Sequence, residues 1–530
     1  MAFNQFPSKG GIPSGNTAGR PSNPVIGDTY YNGQVVALEI YDGTNWKVIR
    51  TEGFPPDAPT ISSVTDSSSS FAYSSTAGTL DVVFVPAGTG GTPTQYNAYT
   101  TTGGHSSFTT VGNTVTITGL TPGTAYTVYG NAQNGSGTST NTANATPVTP
   151  TTLPEVRTIG TATTSGVTSA VTVTWTNGSN GGKNLSSITI TPFLNGTTAQ
   201  TSQTASTTSS TSHSFTGLTI GNNYTFKVKA TNANGTCADS TATNSVTIVD
   251  PNVTVQYLVI AGGGSGGAHG GSGGGAGGYR SSVTGESSGR GASAESAINF
   301  AKGSAYTITV GGGGASVSNA PGNNGSNSSI SGSGITTITS TGGAGGRSSE
   351  GVGGGVGNGF SGGSGSGAAS QQAGQPSYSG GAGTTAQGYD GGGSLPAYNQ
   401  GGGGGAGSAG TTGTTSPSVA GNGGNGVASS ITGSSVTRAG GGGGSSQSGT
   451  NGSAGSGGAT AGVASGSGNA TANTGSGSGG CHNGGGSTAG SGGSGVVILK
   501  AAVNAVSTTG SPSNPSTGIY IFNGDGSITF

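Results

Sequence analysis

The chain is poor in charge, with Lys, Arg, Asp and Glu together supplying only 5% of its 530 residues and a formal net charge of −1. Soluble proteins carry roughly a quarter. No field exists to draw in DNA, RNA or an anionic membrane, so nucleic acid is excluded as a partner. Cysteine is nearly absent: Cys237 and Cys481 lie far apart in segments of different composition. Neither a disulfide framework nor an all-cysteine zinc site can be built, and a reducing cytosol is the expected place of synthesis. Long apolar runs are missing too, so no membrane insertion is expected. The start, "MAFNQFPSKGG", lacks a cationic segment followed by an apolar one, and no export signal is read there. With 29% hydrophobic residues, one large core is excluded. What is present in excess is glycine, 116 residues, with Ser, Thr and Asn.

Residues 1–50 contain "GDTYYNGQVVALEIYDGTNWKVIR", where Asn32-Gly33 and Asp42-Gly43 separate short alternating runs. A small β-meander is predicted, with Tyr30, Val36, Leu38, Ile40, Trp46 and Val48 as its apolar set. That set is too small for an independent domain, so docking or oligomerisation is expected. With its "RPSNP" lead-in, the stretch resembles a small module of phage structural proteins. The resemblance implies attachment to other virion proteins.

Residues 53–149 and 151–250 change to Thr/Val-rich alternation with frequent turns, the pattern of β-sandwiches. They repeat each other. "FTTVGNTVTITGLTPGTAYTVYGNA" aligns with "TSHSFTGLTIGNNYTFKVKATNA", and Leu120, Gly123 and Tyr126 keep the spacing of Leu218, Gly221 and Tyr224. Both segments resemble fibronectin type III domains. Trp175 stands where that family carries its core tryptophan, and Phe84 takes the place in the first copy. Neither copy contains the family's Arg-Gly-Asp loop, and each reads as a spacer.

Residues 251–500 are dominated by Gly, Ser, Ala, Thr and Asn. Composition alone describes a flexible coil with an end-to-end distance of about 80–90 Å. Against that, the segment opens with "TVQYLVI", closes with "GSGVVILK", and contains "SAYTITVGGGG" and "ITTITSTGGAGG". Glycine can order as polyproline-II-like helices with three residues per turn, whose outward amides and carbonyls bond to adjacent helices. Proline is sparse and no strict triplet runs through, which argues against a collagen triple helix. The phrases "VQYLVIAGGGSGG", "AYTITVGGGG" and "GGSGVVILK" resemble glycine-rich domains of phage tail fibres and adhesins. That resemblance implies a rigid sandwich of polyglycine II helices whose loops at one end touch the host receptor. Residues 501–530 are expected to form a C-terminal β-hairpin between "GIYIF" and "SITF".

The predicted fold class is therefore mainly β and multidomain: meander, two sandwiches, glycine-helix block, hairpin. The expected function is a virion-surface fibre or adhesin, made in the host cytoplasm and released by lysis, which binds a host glycan or outer-membrane protein. A capsid decoration fibre or a bacterial surface adhesin would share this architecture, and a homotrimer is left open. Contact candidates lie where the glycine pattern breaks: Gln371, Gln372, Gln375, Tyr378, Tyr389, Asp390, Tyr398, Asn399 and Gln400. They combine stacking faces with amide donors and acceptors. The same side chains could instead pack on the flanks of the block or cap its turns.

No enzyme is expected. The acids of the glycine region are Glu286, Glu295, Glu350 and Asp390, a thin basis for paired carboxylates. Cys481 beside His482 reads as a structural thiol rather than a nucleophile. His105, His213, His269 and His482 fall in unrelated segments, so no metal or other cofactor is predicted. The GxGxxG strings open no helix of a βαβ unit and signal no nucleotide.

Overall fold

The computed structural model describes residues 14–15, 17–32, 37–48, 54–164, 169–350, 355–371, 375–396, 399–482 and 488–530. Two compact units result, one reaching to Val249 and the other running from Asp250 to Phe530. Both are built from strands. The helical segments among the described residues are two single 3₁₀ turns, Thr17–Gly19 and Gly289–Gly291, and no helix is long and apolar enough to cross a membrane.

In the first unit, strands Thr29–Asn32, Ala37–Tyr41 and Trp46–Val48 form the predicted meander, joined in parallel by Ser14–Gly15. Its interior is more polar than the sequence pattern indicates. Leu38 and Ile40 are half-buried, while Glu39 is buried and held by Arg20 and by Asn32 Nδ2 at 3.1 Å. Arg20 holds the Glu39 carboxyl below the ordinary carboxylate range. Val36 lies outside the described residues.

Two sandwiches follow. The first packs Thr60–Asp66, Gly78–Val85 and Thr114–Leu120 against a sheet ordered Ser106–Thr109, Gln95–Thr100, Val128–Asn134, Gly137–Thr138. Phe84 is fully buried and stacks on Tyr96 with ring centroids 5.3 Å apart, filling the place that Trp175 fills in the second sandwich. The repeated tyrosines do the same work twice. The Tyr126 hydroxyl accepts a hydrogen bond from Thr121 N at 3.0 Å, and that of Tyr224 from Thr219 N at 3.3 Å. Each bond pins a late strand to the turn before it.

The second unit has a sandwich of its own. Asn252–Ile260 pairs antiparallel with Val496–Ala501, Ile260 opposite Val496, so the glycine region begins and ends on adjacent strands. One face of this pair carries Val255, Tyr257, Val497 and Leu499 into a core with Phe300, Tyr306, Ile308 and Ile528. The opposite face packs Leu258, Ile260 and Ile498 on Ala276, Tyr279 and Ile431. Burial on both faces explains the unbroken apolar run.

The expected C-terminal hairpin is corrected. Ile519–Phe522 pairs with Val496–Ala501, whereas Gly526–Thr529 pairs with Ala305–Thr309 and Ser507–Thr509 in the other sheet. The turn between them crosses from sheet to sheet. Tyr520, Phe522, Ile528 and Phe530 thereby enter the core between the sheets, which a two-stranded hairpin would leave half exposed. Residues 501–530 complete the sandwich of the glycine-rich unit rather than forming a module of their own.

From Ala261 the chain leaves this sandwich as extended glycine runs. Their backbone bonds follow a period of three. In the run 271–279, Ser272, Gly275 and Gly278 donate to Arg347, Ala344 and Thr341; Gly273 and Ala276 donate to Gly401 and Gly404; Gly274 and Gly277 donate to Ser478 and Gly475. Successive amides thus address three different neighbours. Carbonyls of the same run accept from Gly264, Gly367 and Gly442, so backbone surrounds it on all sides.

Where two runs meet at glycine, such packing leaves no room for a Cβ. A Cβ on Gly403 would overlap the Gly274 carbonyl oxygen, and those on Gly401 and Gly402 would overlap the carbonyl oxygens of Gly392 and Asn422. Gly312, by contrast, has nothing within 4 Å of an added Cβ. Gly403→Ala is therefore expected to destabilise the second unit by about 3 kcal/mol or more. Gly312→Ala should stay within about 0.5 kcal/mol of the parent. Denaturant unfolding followed by circular dichroism checks the pair, and equal stability of the two variants would contradict the close-packed arrangement.

Candidate functional site

Because the runs reverse direction at each turn, the block has two ends: one beside the sandwich, one away from it. At the far end the turn His269–Gly270 lies between several others. Gly270 N donates to His482 O at 3.0 Å, Ser349 N to Gly270 O at 3.1 Å and Ser445 N to Gly271 O at 3.2 Å, while Gln400 N donates to Ser445 O at 3.1 Å. Turns from distant sequence positions are thus tied together by backbone. Beneath them Cys481, Ala268 and Ala489 form a small buried apolar plug, where the thiol serves packing.

On this base stands a polar cluster. His269 Nε2 lies 2.6 Å from Glu350 Oε2 and its Nδ1 lies 2.6 Å from Asn319 Oδ1. Gln371 Nε2 donates to Glu350 Oε1 at 3.0 Å. Positive φ at His269 (62°), Gly270 (64°) and Asn319 (50°) marks the tight reversals that aim these side chains at one another. His482 completes the group. Burial pushes its imidazole below the ordinary value of 6.5, with Glu350 pulling it back up and His269 adding to the depression. Among the described residues, no three His, Cys, Asp or Glu side chains are grouped to hold a metal.

The contact candidates divide between the two ends. Gln371, Gln375 and Tyr378 lie at the turn end, all half-buried, and Gln375 Oε1 accepts no hydrogen bond. Asn399 and Gln400 lie there too, but as buried ties rather than exposed contacts, which corrects their expected role. Asn399 Nδ2 donates to Thr414 O at 2.6 Å, and its Oδ1 accepts from the hydroxyls of Ser418 at 3.1 Å and Ser446 at 2.7 Å. Gln400 exchanges hydrogen bonds of 2.8 and 2.9 Å with the Ser370 backbone. An amide side chain satisfies stranded backbone groups that glycine cannot reach. Gln372 and Tyr398 lie outside the described residues.

Tyr389 and Asp390 occupy the opposite end. Tyr279 N donates to Gln387 O at 2.9 Å, which sets this turn beside the sandwich. Arg290 grips Asp390 with two bonds of 2.7 and 3.1 Å, and its guanidinium lies 5.6 Å from the Tyr389 ring centroid. The Arg290 bonds hold the Asp390 carboxyl below its ordinary range. The pair clamps a flank of the block. Glu295 is similarly committed, to Arg280 and to the Tyr257 hydroxyl at 2.8 Å, and Glu286 Oε1 accepts from Ser430 N at 2.7 Å. Glu350 and Asp390 are therefore at opposite ends and do not form a carboxylate pair.

His269, Asn319, Glu350 and His482 as a group escaped the sequence reading, which placed the histidines in unrelated segments. One signal was available: "GGAHGG" and "GGCHNGGG" each interrupt a glycine run with a side chain too large for its interior.

Residues 236–502 match the family described as "Glycine-rich domain", half of the chain, and residues 158–246 match "Fibronectin type III domain". No curated protein matches the chain. Among solved structures, the crystal structure of domains A168–A170 from titin is 14% identical, covering 37% of this chain and 62% of that one with a TM-score of 0.21. The chain thus spans about three-fifths of the titin segment. The crystal structure of chicken CNTN1 FN1–FN3 domains is 18% identical, covering 40% and 77% with a TM-score of 0.21.

The depressed His482 value sets a pH dependence. The unfolded chain takes up a proton below about 6.5 that the folded site disfavours. Stability from this group is complete above that pH and is lost as pH falls through it toward the folded value. Intrinsic-rate-corrected exchange protection of the Gly270 and Cys481 amides should fall between about pH 7 and pH 5, and His482→Gln should flatten the profile. Protection that ignores pH would show that His482 titrates alike in both states. His213, also depressed by burial, reports separately from the second sandwich.

Proposed function

The chain belongs to the glycine-rich domain family, and from that premise we propose that it is a structural fibre protein and adhesin of a bacteriophage virion. In this reading it binds the host surface through the turn end of its glycine-rich unit. One observation carries the reading: turns remote in sequence are drawn together at one end of a block whose interior holds little beyond glycine, alanine and serine. Recognition chemistry is thereby confined to the turns and displayed on a rigid base. The period of three in the backbone bonding supports polyglycine II helices, with three residues per turn and outward amides.

The remaining parts take roles around that surface. Residues 1–50 attach the fibre to other virion proteins, and the two sandwiches set the distance to the host. The partner at the turn end is a cell-surface glycan or outer-membrane protein, met by Gln371, Gln375 and Tyr378 together with the His269–Glu350 pair. The action is binding, not catalysis: the block's acids are tied to partners, and Glu350 and Asp390 stand apart. With so few charges, adhesion should change little between low and high salt.

A labelled full-length chain, applied to a panel of intact bacteria, tests this. At least one strain should bind the parent protein, and a Glu350→Ala, Gln371→Ala, Tyr378→Ala variant should lose at least about tenfold in affinity. An Asp390→Asn variant at the opposite end should bind as the parent does. Absence of binding across the panel, or loss through Asp390→Asn alone, would count against the turn end as the contact surface.

A further inference from the structure

The first sandwich, read from its sequence as a spacer, has an outer face unlike that of its repeat. We propose that this face, on the sheet formed by Ser106–Thr109, Gln95–Thr100 and Val128–Asn134, is a binding platform for neutral glycans. It stands independently of the function assigned to the turn end, on a different domain.

Outward side chains of the two central strands meet in three cross-strand rows. Tyr99 pairs with Tyr129, Asn97 with Asn131 and Gln95 with Gln133. The tyrosine rings stack with centroids 5.4 Å apart and an interplanar angle of 24°, both half-exposed. Phe108, on the edge strand opposite Asn97, is 64% exposed. A ring this open lies outside the core of the sandwich.

The amides are held in a chain. Gln95 Nε2 donates to Asn97 Oδ1 at 2.6 Å, Asn97 Nδ2 to Asn131 Oδ1 at 2.8 Å, and Asn131 Nδ2 to Asn141 Oδ1 at 3.0 Å. Each amide carries two N–H donors and two acceptor lone pairs, and Asn97 and Asn131, each accepting one bond and donating another, are fixed in plane and fix Gln95 beside them. The short asparagine row lies between the longer tyrosine and glutamine rows, spaced about 6.6 Å along the strands. Asn97 and Asn131 are buried beneath the neighbouring rows and hold the chain in place, so flat tyrosine faces receive the C–H faces of sugar rings while the half-buried amides of Gln95 and Gln133 receive their hydroxyl pairs. Because these groups are already oriented, binding orders few side chains.

The second sandwich provides an internal comparison. Counting from the equivalent tyrosines Tyr126 and Tyr224, the position of Tyr129 is taken by Lys227, and the rows become Thr191 with Lys227, Thr189 with Lys229 and Ser187 with Thr231. On this face the second sandwich carries Thr, Ser and Lys, with Lys227 Nζ lying 5.0 Å from the Phe193 ring centroid. Fold demands neither stacked tyrosines nor an amide chain at these positions. The ligand's neutrality follows from charge: between Thr51 and Pro150 the sequence contains no Lys or Arg, so nothing there would neutralise a sulfated or uronic-acid polymer.

Affinity electrophoresis of the full chain, through native gels cast with mannan, dextran, galactan or xylan and with alginate as the anionic control, tests the proposal. Retardation is expected in at least one neutral gel and not in alginate. Giving the face its sister's residues, Tyr99→Thr with Tyr129→Lys, should weaken that retention at least about tenfold with unchanged thermal unfolding. Phe108→Ala, at a largely exposed position outside the core, should weaken it independently. Glu350→Ala should leave it intact, which separates this face from the turn end. No retardation in any neutral gel, retardation by alginate alone, or full retention in both face variants would overturn the proposal.

Discussion

Backbone hydrogen bonding between chains that lack Cβ atoms is the constraint on which the second unit rests. A glycine run can meet a neighbour on every side only if no side chain intervenes, and Gly403 against the Gly274 carbonyl shows how little space remains. Each such bond contributes about 0.5–1.5 kcal/mol net, against a backbone ordering cost of about 1–2 kcal/mol per residue that is larger for glycine. The runs do not hold themselves alone. They are anchored on a sandwich whose apolar core includes Tyr257, Phe300, Leu499 and Phe522, and their turns are tied by side chains such as Asn399 and Gln400.

The same constraint sorts chemistry by location. Inside the block, side chains are confined to Gly, Ala and Ser, and the buried serines bond to backbone: Ser272 Oγ donates to Gly367 O at 2.6 Å, and Ser445 Oγ to Gly271 O at 2.7 Å. Larger groups appear where a run ends. His269, Glu350 and Gln371 gather at the turns, and Arg290, Tyr389 and Asp390 gather beside the sandwich. Amides and aromatics on the first sandwich follow a different rule, the alternation of a strand, which lets the outer row vary without disturbing the inner one.

Strands were legible where side chains encode them. Apolar runs marked Asn252–Ile260 and Val496–Ala501, and the spacing of Tyr126 and Tyr224 marked the repeated sandwiches. Phe84 was legible as a substitute for tryptophan because volume and alternation both fitted. Which glycine run lies beside which was not legible, since a residue without a side chain carries no pairing information. The meeting of His269, Glu350 and His482 depends on that adjacency, as does the burial of Asn399 and Gln400. The divergence of Ile519–Phe522 from Gly526–Thr529 was hidden for another reason: a hairpin and a sheet-to-sheet crossing share the same alternation, and only the core between the sheets distinguishes them.

The adjacency of Asn252–Ile260 and Val496–Ala501 makes everything between them a closed excursion that leaves and returns at one edge. A run that travels outward must be answered by one that travels back. Duplication or deletion of an even number of runs therefore restores the chain to its starting edge and keeps Ile260 opposite Val496, whereas an odd number strands the closing strand at the wrong end. Parity, rather than length, is therefore the quantity that the sandwich constrains.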